Sequence, residues 1–134
     1  MNAGEERPLA LAAAEAGSGE WRAAAVAQRA ATPDDGEFYG LAGELVATLR
    51  AVDELVQVLA RQVAGYPRGR RLFDDAGVDP LARLATARAY LAGLSEYVTA
   101  AERAANGFWS AIGHIGTHPD DPDGMSVDIQ DGAR

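Results

Sequence analysis

Residues 79–116 read DPLARLATARAYLAGLSEYVTAAERAANGFWSAIGHIG, and this stretch decides the fold. Asp79 followed by Pro80 is a helix-start signal. The aspartate accepts from the free N–H groups of a first turn, and the proline's fixed φ suits the first helical position. From there Leu84, Leu91, Val98, Ala105 and Ile112 recur every seven residues, as do Ala87, Leu94, Ala101, Phe108 and Ile115. The two lines form one apolar seam of helical period. The seam predicts a single helix over about 80–116, roughly 55 Å long.

The nominally outward face of this helix is poor in charge. It reads Ala85, Thr86, Ala89, Ala92, Gly93, Glu96, Thr99, Ala100, Arg103, Asn106 and Gly107, with Tyr90 and Tyr97 flanking the seam. A helix weakly polar all round is usually central in a bundle, and its small residues let a second backbone approach. Such a helix needs neighbours.

One neighbour lies just upstream. Thr32-Pro33-Asp34-Asp35-Gly36 is a turn, and Phe38, Leu45, Val52, Leu59 and Tyr66 then recur every seven residues. Leu41, Leu49, Leu55, Val56 and Val63 widen this line into a broad apolar stripe, broader than a coiled-coil seam. Gly43, Arg50, Asp53, Glu54, Gln57 and Arg61 fall on the other face. The pattern predicts a helix over about 37–65, roughly 43 Å long, which stops at Gly65-Tyr66-Pro67. Two long helices joined by a short connection pack as an antiparallel hairpin. The expected fold class is therefore all-α. The second hairpin helix is expected to overhang the first at its Phe108-Trp109 end.

The remaining segments are secondary. Residues 1–36 form an N-terminal arm. A short helix is expected after Pro8, broken at Gly17-Ser18-Gly19, followed by an alanine-rich stretch that orders only if Trp21 docks. Residues 117–134, THPDDPDGMSVDIQDGAR, read as an acidic and disordered tail.

Composition narrows the function. The chain has 134 residues, a formal net charge of -8, no cysteine, and arginine as its only long basic residue. An acidic surface repels phosphate backbones and anionic lipid, so neither nucleic acid nor membrane is an expected partner. No stretch approaches the roughly 18 apolar residues of a spanning helix, and no basic leader precedes an apolar run. The expected location is cytoplasmic. The arginine, alanine and glycine bias suits a high-GC genome.

Candidate chemistry is sparse. His114 and His118 lie four apart, with Asp120 close behind, which is ligand spacing on an unbroken helix. Gly116 and Pro119 bracket the second histidine and argue for a polar tail instead. No metal or cofactor is therefore expected, and the pair stays as an outside candidate. Arg68, Arg70 and Arg71 with Phe73 at the hairpin tip form the one basic cluster, suited to an acidic partner, although Asp74 and Asp75 stand ready to neutralise it. Phe108 and Ile115 sit on the seam as core, whereas Trp109 lies beside it and is the better contact for a second chain. No nucleophile elbow, ExxH pair or phosphate-cradling loop occurs, so no catalytic residue is expected and the chain reads as a non-enzyme.

Two stretches carry a resemblance. LAGELVATLRAVDELVQVLARQV (41–63) and AERAANGFWSAIGHIG (101–116) resemble the paired helical segments of a group of small actinobacterial helical-hairpin proteins. That resemblance implies a helical hairpin and, through some members' link to mobile elements, an accessory role on a plasmid or conjugative element. It transfers no site residue. The hairpins exported by the type VII route share only the shape. The hairpin loop here lacks their tryptophan, and Tyr97 is followed at the fourth position by Ala101. The sequence thus predicts an interaction module, completed as a four-helix bundle by homodimerisation through the second hairpin helix.

Overall fold

A computed structural model describes residues 6–119. Three helices follow in chain order: α1 (Leu9–Arg29), α2 (Asp35–Gly65) and α3 (Pro80–Ile112). No strand occurs among the described residues. The chain divides into residues 1–34, which hold α1, and residues 35–134, which hold the hairpin.

Helix α1 is continuous, and the expected break at Gly17-Ser18-Gly19 is absent. Each glycine costs about 1 kcal/mol relative to alanine, but nine alanines surround the pair in this helix. Ser18 Oγ donates to the Glu15 carbonyl, so its hydroxyl is satisfied inside the helix. Pro8 sits at the N-cap, and its carbonyl accepts from Ala12. Arg7 pairs with Glu15 two turns on. None of the helix is buried.

The hairpin is as expected in kind. Arg50 of α2 pairs with Glu102 of α3, Asp53 with Ser95, and Gly43 lies against Trp109, so the two helices run antiparallel. Asp79 caps α3 by accepting from the Leu81 N–H at 3.2 Å, with Pro80 at the first position. Gly69 and Gly77 turn the connection at φ of 69° and 81°, backbone that only glycine adopts without strain.

Two boundaries differ from expectation. Helix α3 ends at Ile112 rather than 116, with Gly113 as its C-cap. The next amides bond three residues back, His114 to Ala111 and Ile115 to Ile112, in tightened turns. Helix α2 begins at Asp35, with Asp35 and Glu37 in its first turn favouring the helix dipole. The helices are therefore matched in length, at 31 and 33 residues, and the expected overhang is absent. Tyr39 and Gly113 meet at the flush open end.

The core between the helices is narrow. Ala42, Val46, Val56 and Val98 are its fully buried members, and Val46 is 1 % exposed. Leu49, Val63, Leu84, Ala87, Leu91, Ala105 and Ile112 are half-buried. On α3 this matches the line through Leu84, Leu91 and Val98. On α2 the facing line passes through Ala42, Val46 and Val56 instead of Leu45, Val52 and Leu59, which remain exposed. Helix α2 is thus turned by roughly 60° from the orientation its heptads suggest.

Candidate interaction surface

The turn of α2 has identifiable causes, all on one long side of the hairpin. Ser95 Oγ donates to Asp53 at 2.9 Å and accepts from Gln57 Nε2 at 3.0 Å. Arg50 Nε donates to Glu102 at 2.7 Å. The Trp109 indole lies on Gly43, where an added Cβ would come within 3.2 Å of the ring. The Tyr39 ring tilts against the same indole, with centroids 5.8 Å apart. Gly43, Arg50, Asp53 and Gln57 were expected to face away from α3; they flank the contact with it instead. A stripe as wide as that of α2 cannot all be buried against one helix. The polar pairs and the glycine slot choose which part is.

The contact of Trp109 with Gly43 exchanges two aromatic roles. Trp109, expected to reach a second chain, is half-buried inside the hairpin. Its Nε1 is buried without an acceptor. Phe108, expected in the core, is 43 % exposed, and Ile115 lies beyond the helix end and is exposed too. At Gly43 the indole lies so close to the backbone that an added Cβ would require the ring to shift by a few tenths of an ångström. Neighbouring residues on a helix point about 100° apart, so seating Trp109 turns Phe108 outward.

The opposite long side is apolar. In an antiparallel pair, the residues on the far flank of α2 and of α3 share one surface. Here these are Leu45, Val52, Leu55 and Leu59 with Leu94, Tyr97, Ala101 and Phe108, all exposed. Tyr90 and Tyr97 are each 77 % exposed. No charged residue interrupts this surface between the rim glutamates Glu37 and Glu44 at one end and Arg83 at the other. The hairpin is therefore amphipathic as a whole, with a polar side and an uncharged side. This contiguous exposed apolar surface is the candidate interaction surface of the hairpin.

The tip is built around Asp74. Its carboxylate accepts from the Ala76 and Val78 N–H groups at 2.8 and 3.2 Å and from Arg83 Nε at 2.7 Å. The side chain is only 7 % exposed. The hydrogen bond from Arg83, backed by those from the two amides, lowers its pKa to about 2 from the ordinary 3.8. Asp74 is thereby committed to α3 and does not neutralise the tip arginines. Arg70 stacks 4.3 Å above the Tyr66 ring and donates to the Tyr66 carbonyl. Phe73 is 85 % exposed. Because Asp74 is more acidic folded than unfolded, its contribution to stability is complete above pH 4 and fades as pH falls toward 2. We expect Asp74→Asn to lower the melting temperature at pH 7 and to flatten its decline between pH 4 and 2, read by circular dichroism.

The histidine candidates lie at and beyond the C-terminal end of α3. His114 lies in the turn after α3, His118 is exposed beyond it, and Asp120 is outside the described residues. Among the described residues no group of three His, Cys, Asp or Glu side chains could hold a metal ion. A groove of about 560 Å³ lies beside Gln57, Arg61, Arg88, Ser95 and Glu96. No described helix is long and apolar enough to cross a membrane. The acidic tail expected over 117–134 falls outside the described residues from position 120 onward. No protein family, characterised protein or solved structure matches the chain.

Proposed function

We propose that this protein is a non-enzymatic protein–protein interaction module whose hairpin is completed as a four-helix bundle by a second copy of itself. The observation that carries this reading is the exposed, uncharged side formed by Leu45, Val52, Leu55 and Leu59 of α2 and Leu94, Tyr97 and Phe108 of α3. Two helices cannot cover that much apolar surface between them. Covering a half-exposed side chain of this size is worth about 1 kcal/mol. Association costs roughly 4–15 kcal/mol, so the whole length of the surface must be covered for a dimer to hold. A chain of net charge -8 repels its own copies. The side whose carboxylates are confined to its rim, at Glu37 and Glu44, is the one across which two copies can meet with the least of that penalty.

In this reading the dimer contact is a surface shared by both hairpin helices rather than α3 alone. Light scattering on the purified full chain tests it. At micromolar concentration the expected mass is about twice the 14.0 kDa of the chain. A well-folded monomer under those conditions would sink the reading.

A further inference from the structure

We propose that the two hairpins pair antiparallel, with the arginine tip of each seated against the acidic open end of the other. This rests on the homodimer reading above and adds to it an orientation and a recognition chemistry at each end.

The reason is the distribution of charge along the hairpin. Ala60 and Ala92 lie level with each other across one groove, and a cut there divides the hairpin in two. The tip part, residues 60–92, carries six arginines and three aspartates. The open part, residues 35–59 and 93–119, carries two arginines and seven carboxylates. The chain as a whole is acidic, yet one end of the hairpin is basic.

Local structure sharpens this difference at both ends. At the tip, Asp74 is held by Arg83 and two backbone amides. None of the ion pairs among the described residues involves Arg68, Arg70 or Arg71. The turn at Gly69 and the stacking of Arg70 on Tyr66 fix part of the cluster. At the open end, Asp35 and Glu37 lie in the first turn of α2, and α3 has no basic residue in its last turn.

Two orientations cover the apolar side equally well. Screening confines the interaction of exposed charges to about 8 Å at physiological ionic strength, so orientation is decided by what each end meets locally. A parallel pair sets arginines against arginines and carboxylates against carboxylates. An antiparallel pair sets three arginines against the carboxylates of the other copy, twice over by symmetry. Like-charge juxtaposition of this kind discriminates against the wrong arrangement more strongly than the matched pairs add affinity.

The lack of native cysteine makes the test direct, since only introduced thiols react. Phe73 at the tip and Ile115 at the open end are both exposed, so Phe73→Cys and Ile115→Cys leave the fold intact. Full-length Phe73→Cys alone is expected to give little covalent dimer with a short bismaleimide. An equimolar mixture of Phe73→Cys and Ile115→Cys, exchanged before reaction, is expected to cross-link efficiently. Arg68→Ala/Arg70→Ala/Arg71→Ala is expected to raise the dimer dissociation constant about tenfold at low salt and to abolish most of its salt dependence. A dimer in which Phe73→Cys couples to itself, and the mixture couples no better, overturns the orientation and leaves the dimer standing. A monomeric mass for the unmodified chain overturns both.

Discussion

Val52→Glu is expected to yield a helical monomer at concentrations where the proposed dimer of the unmodified protein forms. Val52 lies midway along the apolar side, and it is 39 % exposed in the single hairpin. In one copy the new glutamate therefore reaches water, and helix propensity improves because a β-branched residue is removed. In the proposed dimer the same carboxylate would be desolvated within the contact. Burying an unpaired charge costs several kcal/mol, so the dissociation constant rises by about 100-fold or more. Sedimentation equilibrium measures the constant, and far-ultraviolet circular dichroism confirms that the hairpin remains. Val52→Met, similar in burial and uncharged, retains the dimer. If Val52→Glu were to leave the association unchanged, the apolar side would not be the contact.

Trp109→Ala and Phe108→Ala, each made in the Val52→Glu variant, are expected to separate in the order that the seating of Trp109 over Gly43 dictates. Trp109 fills the slot over Gly43 and packs against the tilted Tyr39 ring, so its loss costs about 3 kcal/mol. Phe108 points to solvent in the single hairpin, so its loss costs less than about 1 kcal/mol there. Trp109→Phe is expected to be milder than Trp109→Ala, because phenylalanine keeps most of the packing. It also removes a buried N–H that has no acceptor. Urea denaturation followed by circular dichroism reads all three. A larger loss for Phe108→Ala than for Trp109→Ala would mean that the seam inferred from seven-residue spacing, with Phe108 inside, is the real one.

Much of the fold was legible because local rules agree. Asp79-Pro80 announces a helix start, and the Asp79 side chain caps the helix there. Gly65-Tyr66-Pro67 announces a stop, and α2 ends at Gly65. The wide apolar stripes require a partner helix, and the short connection makes that partner antiparallel. The break at Gly17-Ser18-Gly19 was misread because glycine penalties were weighed without the alanines on either side. The end of α3 was placed too late because Ile115 keeps the seven-residue spacing, whereas Gly113 ends the helix.

The interaction surface was legible in composition but not in location. The excess of apolar positions on both helices showed that a single hairpin cannot bury them all. Which of them remain outside depends on pairs 38 to 66 residues apart in sequence: Gln57 with Ser95, Asp53 with Ser95, Arg50 with Glu102, Gly43 with Trp109. Heptad spacing contains no information about such pairs, since it reports period and not rotation. The commitment of Asp74 to Arg83 is nonlocal on a smaller scale, and without it the tip reads as neutralised.

By itself, then, the sequence determined the helices, their antiparallel pairing, the absence of charge along much of their surface and the basic cluster at the connection. These follow from short-range periodicity, capping chemistry and chain geometry, which act over a turn or two. Only the tertiary structure decided that α2 turns its valines inward and its leucines outward, and that Trp109 rather than Phe108 meets α2. It also decided that the hairpin has one polar and one apolar side. Those outcomes depend on satisfying Asp53 and Ser95 and on seating an indole over Gly43, which are conditions on two helices at once.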